Sequence, residues 1–329
     1  MSKIKIGVTG TGSLVGQAII KSIKNSSLKG TVSLIGFDYV QNTIGSYWVD
    51  KNIILPDFLK KGVSEDAWLS AVLSAIAAED IKILLIGIDF ELKLFARHRK
   101  TIESKTKCAV MVSDPNVIAI ADDKYRTYRF LKENGLSYPE TILTGELNAK
   151  NLSFPCILKP RIGAGSKDVF VAHNRQELDR RLPLIKDPII QELAGDTHSE
   201  YTCGIICLDN AIKDMIVLRR YLKAGHTETA YCSKDTPRAI YEYVRTITAL
   251  LNPYGACNFQ MRTDGSGTPR LFEINARHSG TTYMRAMFGF NEVEFIVRHV
   301  LKMGTVQFNL KYGIVKRYHE EMFVADSIQ

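Results

Sequence analysis

The chain has 329 residues, 45% hydrophobic and 24% charged, with a formal net charge of +8. These proportions exclude a disordered or fibrous chain, and no uninterrupted apolar run approaches the roughly 20 residues of a membrane span. The positive charge is spread without a Lys/Arg block or aromatic–basic interleaving, which points to an anionic small ligand and away from nucleic acid.

The opening MSKIKIGVTG lacks the long apolar core of a signal peptide. Cys108, Cys156, Cys203, Cys207, Cys232 and Cys257 form no CxxC pair, so free buried thiols of a cytoplasmic protein are expected. Residues 3–9 read as a strand, followed by a glycine loop (Gly10, Gly12, Gly16), a helix over Gln17–Lys24 and a strand over Val32–Phe37 ending at Asp38. This βαβ opening resembles a dinucleotide-binding unit, with Asp38 where a ribose-binding acid would stand, but its last glycine falls one residue late. A helix over Glu65–Ala78, a strand over Ile81–Ile88, a helix over Leu92–His98 and a strand over Ala109–Val112 continue the pattern. Asp89 and Glu91 are read as caps of the helix that follows them rather than as substrate contacts. Ser113-Asp114-Pro115 marks a module boundary.

A single helix is predicted over Asn116–Leu131, with Asp123-Lys124 inside it. A strand then runs through Phe154-Pro155-Cys156-Ile157-Leu158-Lys159-Pro160-Arg161 into the loop Ile162-Gly163-Ala164-Gly165-Ser166-Lys167. Backbone N–H groups of such a loop can cover phosphate oxygens, although the Gly-Lys-Ser/Thr ending of a Walker loop is absent. Val169–Ala172 is a returning strand, Arg175–Arg181 a short helix and Ile189–Leu193 another strand. After the polar turn Ala194–Ser199 come strands over Glu200–Leu208 and Ile212–Arg220, a loop over Leu222–Thr229 and a helix over Thr236–Leu251. Gly255–Thr281 reads as two strands joined by the turn Asp264-Gly265-Ser266-Gly267. Alternation puts Glu273, Asn275 and Arg277 on one face, within reach of Gln260 across the hairpin. That set of oxygen donors suits a hard cation, and equally suits the wet face of a surface hairpin. Helices over Thr282–Phe288 and Asn291–Lys302 and a strand over Gly313–Arg317 complete the chain.

Taken in order, five segments resemble the ATP-grasp superfamily, and within it one synthetase half of the carbamoyl phosphate synthetase large subunit. They are Asp123-Lys124; Leu158-Lys159-Pro160-Arg161 with its glycine loop; Gln191-Glu192-Leu193 with Glu200-Tyr201-Thr202; Gly225-His226-Thr227; and Asn258-Phe259-Gln260 with Glu273-Ile274-Asn275-Ala276-Arg277. The resemblance implies an α/β fold, α+β in its C-terminal part: a Rossmann-like pre-ATP-grasp domain over residues 1–114 and an ATP-grasp domain over 115–329, with lobes 115–190 and 191–329. In that family the first domain generally binds no dinucleotide, so NAD(P) is set aside.

By the same resemblance, Lys124, Lys159, Gly163, Gly165 and Ser166 would hold ATP phosphates. Gln191, Glu192 and Leu193 would line the hinge that reads adenine, and Glu200 would bind the ribose hydroxyls. Gln260, Glu273 and Asn275 would hold Mg²⁺ (or Mn²⁺), Arg277 would steady the transferring phosphoryl group, and Arg161 and His226 would stand near the acceptor pocket. Two departures are visible: Ala276 replaces the usual proline, and Gln260 replaces a carboxylate, the latter being the carbamoyl phosphate synthetase pattern. The implied activity is an ATP-dependent ligase that activates a carboxylate as acylphosphate and couples it to an amine, or less often a thiol. Alternatives are an enzyme that stops at the carboxyl or carbamoyl phosphate, a non-catalytic nucleotide-binding module, and an NAD(P) oxidoreductase. Small-molecule carboxylate and amine substrates are the implied partners, with no nucleic acid or membrane, and a homodimer is an expectation because many relatives form dimers. Arg161, Arg219 and Arg220 suggest an anionic substrate, or surface ion pairs.

Overall fold

A computed structural model describes residues 3–147, 152–163, 165 and 167–325. Three sheets organise them. The first is parallel, in the order β3-β2-β1-β4-β5, built from β1 (Ile4–Thr9), β2 (Val32–Asp38), β3 (Lys51–Ile54), β4 (Ile81–Leu85) and β5 (Ala109–Met111). Helices α1 (Leu14–Lys24), α2 (Glu65–Glu79) and α3 (Leu92–Thr106) make its crossovers. Both faces of this sheet are covered, which is why β1 and β4 read as apolar runs rather than alternating strands. Gly16 packs α1 directly on the strand ends, since a Cβ there would lie 2.1 Å from the Gly10 carbonyl oxygen.

The stretch Asn116–Leu131, read as one helix, is two: α4 (Pro115–Asp122) and α5 (Lys124–Glu133). Asp123 breaks it by taking an extended conformation and accepting from the amides of Tyr125 and Arg126, so it caps α5 and makes Lys124 its first residue. Next comes a four-stranded antiparallel sheet, β6-β9-β7-β8, of β6 (Thr141–Leu143), β7 (Cys156–Pro160), β8 (Phe170–Ala172) and β9 (Pro188–Glu192), with α6 (Arg175–Arg181) against it.

The third sheet has six antiparallel strands, β14-β13-β10-β11-β12-β15. Its strands are β10 (Glu200–Leu208), β11 (Ala211–Lys223), β12 (His226–Cys232), β13 (Gly255–Thr263), β14 (Pro269–Asn275) and β15 (Gly313–Lys316); α7 (Arg238–Leu251), α8 (Thr282–Met287) and α9 (Glu292–Val300) accompany them. The predicted loop Leu222–Thr229 is instead a tight hairpin. Ala224 and Gly225 both take positive φ, 47° and 77°, and turn β11 into β12 with Lys223 opposite His226.

The cores divide unequally. The four-stranded sheet keeps a private cluster around Leu158, Leu178 and Ile190. The other two sheets share their clusters: Phe37 and Trp68 pack in one group with Cys203 and Phe259, and Ile19 and Ile23 in another with Phe290 and Val297. The small sheet thus has a core of its own, while the first and third sheets are joined through shared clusters. Among the described residues, no helix is long and apolar enough to cross a membrane.

Candidate active site

Two cavities meet between these sheets. The first, of about 150 Å³, lies between β7 and β9 of the small sheet and β10, β13 and β14 of the large one. Its walls combine apolar side chains (Ile157, Val169, Leu222, Phe272) with Lys124, Lys159, Gln191, Glu192 and Glu200. The second, of about 340 Å³, lies between the large sheet and two loops of the first module, and includes Ser13, Asp89, Thr202, Asn258, Arg277 and Arg317. Gly165, Arg220, Gln260 and Glu273 line both. The two cavities therefore share one wall.

Lys159 sits at the end of β7, 5% exposed, and donates to Gln191 Oε1 at 2.7 Å. Gln191 in turn donates to Thr141 Oγ1 at 2.8 Å, which fixes the amide with its oxygen toward the lysine. Burial, and then the repulsion of Lys124, push the Lys159 ammonium down to about 7. Lys124 donates to the Gly163 carbonyl at 2.8 Å and so tethers the glycine loop to the start of α5. Gly165 has φ +69°, and a Cβ there would lie 4.0 Å from the His226 ring, so Gly165 faces the β11–β12 turn. Ser166 lies outside the described residues.

Glu192 is exposed at the cleft edge, where β9 meets the segment before β6, and its carboxylate accepts from the Glu140 amide at 3.0 Å. Leu193 lines neither cavity. Glu200, 4% exposed, is held between two arginines: Arg220 at 2.8 Å and Arg262 at 2.8 Å. Arg220 also donates to Gln260 Oε1 at 2.5 Å and to Thr227 Oγ1 at 3.4 Å. One guanidinium thus ties the carboxylate assigned to ribose to the amide assigned to metal.

The hairpin places its oxygen donors by register. Gln260 pairs with Glu273 and Asn258 with Asn275. A bulge between Gln260 and Met261 interrupts the simple alternation, so the neighbours Phe272 and Glu273 both line the smaller cavity, and the Lys159 ammonium lies 5.5 Å from the Phe272 ring centroid. Glu273 reaches both cavities, and among the described residues its carboxylate has no hydrogen-bond or ion-pair partner, whereas Glu200 and Asp89 are both paired. A half-buried carboxylate without a partner, flanked by the amides of Gln260 and Asn275, fits a hard divalent cation.

Arg277 lines the larger cavity and pairs with Asp89 at 2.5 Å, its Nη1 also donating to the His278 carbonyl. Asp89 therefore does not cap α3, contrary to the reading from sequence: its carboxylate reaches across from the first module to the large sheet. Glu91 stands at the N-cap position of α3, but its side chain makes no capping hydrogen bond. It is buried, accepts from Thr9 Oγ1 at 2.5 Å and Tyr39 Oη at 2.6 Å, and burial pushes its carboxyl up to about 7. Arg161 is a further correction, because it lines neither cavity. Its guanidinium is engaged by Asp123 at 2.7 Å, where it braces the cap of α5 and hence Lys124. His226 lines the larger cavity and is exposed. Arg219 points away, with its guanidinium 4.9 Å from the Tyr231 ring centroid.

Asp38 does not present a ribose-binding acid. It accepts from Thr11 Oγ1 at 2.7 Å and the Gly12 amide at 2.8 Å, so it stitches the glycine loop shut. Sequence reasoning missed Asn258 and Arg317 as lining residues. Asn258 was findable, being two residues before Gln260 on one strand face. Arg317 was not, since only the pairing of β15 with β12 brings it there.

A protein-family model described as "ATP-grasp in the biosynthetic pathway with Ter operon" matches residues 192–321. D-aspartate ligase of Enterococcus faecium (strain Aus0004) is 25% identical over 281 residues, 74% of this chain and 64% of that one. The chain thus spans less than two thirds of this relative. Among solved structures, L-amino acid ligase from Bacillus licheniformis aligns over 92% of this chain and 75% of its own with a TM-score of 0.71 at 15% identity. N5-carboxyaminoimidazole synthetase from Staphylococcus aureus, complexed with ADP, aligns over 96% and 81% with a TM-score of 0.69 at 14% identity.

Proposed function

We propose that the chain is an ATP-grasp protein acting as an ATP- and Mg²⁺-dependent ligase, which phosphorylates a carboxylate and passes the acyl group to an amine, releasing ADP and phosphate. The carrying observation is the wall shared by the two cavities, where the unpartnered Glu273 stands beside Gln260 and Arg220. The ligase names of the relatives, and the ADP held by one of them, agree with this reading.

In this scheme the smaller cavity takes ATP, with adenine against the β9 edge at Gln191–Leu193 and the phosphates toward Lys124, Lys159 and the Gly163–Lys167 loop. Two arginines already occupy Glu200, so its ribose role requires Arg220 or Arg262 to yield one carboxylate oxygen. Glu273, Asn275 and Gln260 would hold Mg²⁺, or Mn²⁺, which when bound neutralises charge on the β- and γ-phosphates. Arg277 faces the larger cavity, where the carboxylate and then the amine would stand, and its guanidinium offsets charge on the transferring group. The lobes 115–190 and 191–329 act as the two jaws around the nucleotide, and the private core of the small sheet allows closure that keeps water from the acylphosphate. Residues 1–114 supply the acceptor cavity with Ser13 and Asp89. The amino-acid ligases among the relatives make an amino acid the first class of substrate to try.

The test is ADP release with Mg-ATP and a matrix of carboxylates and amines, with the product identified by mass. Glu273→Ala should abolish turnover while leaving the thermal midpoint within a few degrees. Undiminished turnover in that variant refutes the assignment of the shared wall.

A further inference from the structure

The charges around the larger cavity do not balance in pairs. Arg277 is matched by Asp89, and Arg220 by Glu200. Arg317 has no such match. Its Nη2 donates to the Gly280 carbonyl at 2.5 Å, its Nη1 is buried without a hydrogen-bond partner, and no carboxylate among the described residues reaches it. Its only resolved perturbation is desolvation, which holds its pKa below the usual arginine range.

Two other donors converge on the same cavity. Asn258, 1% exposed, has its amide orientation fixed because Oδ1 accepts from Thr202 Oγ1 at 2.7 Å and from Arg285 at 3.3 Å. Its Nδ2 is left buried and unpartnered, a costly arrangement unless a ligand accepts from it. The first turn of α1 also lines the cavity, through Leu14 and Val15. Ser13 Oγ satisfies the Gly16 amide, and the turn contains no acid to offset its positive end. The Leu14 side chain abuts Gly280, the residue whose carbonyl holds Arg317, so the helix start and the guanidinium are neighbours.

We infer that Arg317, Asn258 and the start of α1 form a receptor for a substrate carboxylate that is not itself activated, so that the product keeps a free carboxylate. This rests on the ligase reading for the role of the cavity. It predicts that one substrate is a dicarboxylic acid, held by the carboxylate that is not activated.

The experiment is titration calorimetry of the full chain with glutarate and with both enantiomers of aspartate, against their monoamide counterparts, each with one carboxylate fewer than the parent acid, with and without saturating Mg-ADP. At least one dicarboxylate should bind about tenfold or more tighter than its amide. Arg317→Gln should erase that preference, Arg317→Lys should restore part of it, and Mg-ADP affinity should stay unchanged in both variants. No binding of any dicarboxylate, or a preference that survives Arg317→Gln, overturns the inference. Failure of Mg-ADP to bind the wild type would instead sink the ligase reading, while the carboxylate titration without nucleotide still decides the receptor.

Discussion

Lys159 makes the sharpest prediction. Its ammonium is buried, and the nearest charge of its own sign, on Lys124, adds to the cost, so its pKa falls from the ordinary 10.5 to about 7. At pH 8 only about a tenth of the free protein then carries this proton. Phosphate oxygens placed against the amine favour the charged form, so nucleotide binding at pH 8 should take up close to one proton, about 0.9, falling to about 0.1 at pH 6. Calorimetry of Mg-ADP binding in buffers of different ionisation enthalpy measures this uptake directly. Lys159→Met should remove it and weaken binding. The same shift acts on stability: between pH 7 and 10.5 the unfolded lysine binds more protons than the native one, so stability rises with pH through that window, and below pH 7 the penalty is complete. A difference of about 3.5 pH units corresponds to about 5 kcal/mol. Urea unfolding should therefore find Lys159→Met more stable than wild type at pH 6, by a margin that shrinks toward pH 9. Proton uptake below about 0.3 at pH 8, or the same uptake in Lys159→Met, would refute the reasoning.

Two further outcomes follow from buried carboxylates outside the two cavities. Glu292 and Arg285 form a pair at 2.7 Å, 0% and 1% exposed in their side chains. Burial pushes the Glu292 carboxyl up, but Arg285 and His278 outweigh it and hold it below the usual range. Glu292→Gln leaves the guanidinium uncompensated and should cost about 3–5 kcal/mol in urea unfolding; a loss under about 1 kcal/mol would show that the guanidinium finds another way to be satisfied. Glu91 has the opposite sign, with its carboxyl raised from 4.5 to about 7 by burial. The native state then binds more protons than the unfolded one between these values, so stability falls as pH rises from 4.5 to 7. Glu91→Gln should flatten that part of the profile, changing the gap between the two curves by about 3 kcal/mol across it. Parallel curves would show that Glu91 is already ionised.

The fold was readable where one residue type at one place admits one conformation. Gly10, Gly12 and Gly16 fixed the first βα turn, and the apolar runs of β1, β2 and β4 identified a covered parallel sheet. Reading failed where a side chain's use depends on a distant partner. Asp123 looks like any helix residue until Arg161 and the amides of Tyr125 and Arg126 are seen to claim it. Asp89 resembles a cap and serves Arg277 across 188 positions of chain. The short edge strands β3 and β6 carry too little pattern to be found alone. The bulge opposite Glu273 defeats strict alternation and adds Phe272 to the cleft.

The electrostatics of the cleft give these misses a common meaning. Lys124, Lys159, Arg220 and Arg262 converge on the smaller cavity, against Glu192, Glu200 and Glu273. Glu200 is shared by two of the arginines, and Glu192 sits exposed at the edge. The interior cations thus outnumber the interior acids, and burial, with the repulsion of Lys124 added to it, weakens the hold of Lys159 on its proton. In the proposed scheme a polyphosphate would reverse that strain, accepting from the lysines and letting Arg220 turn from Gln260 toward the ligand. Breaking the Arg220 contacts costs little when phosphate oxygens replace the carboxylate and amide oxygens one for one. Gln260 would then be freed in the same movement that brings negative charge beside Glu273, so the cation-binding oxygens become available only as the phosphates arrive. On that scheme a neutral amide at position 260 would be an advantage, since a carboxylate there would hold Arg220 more tightly and oppose its release.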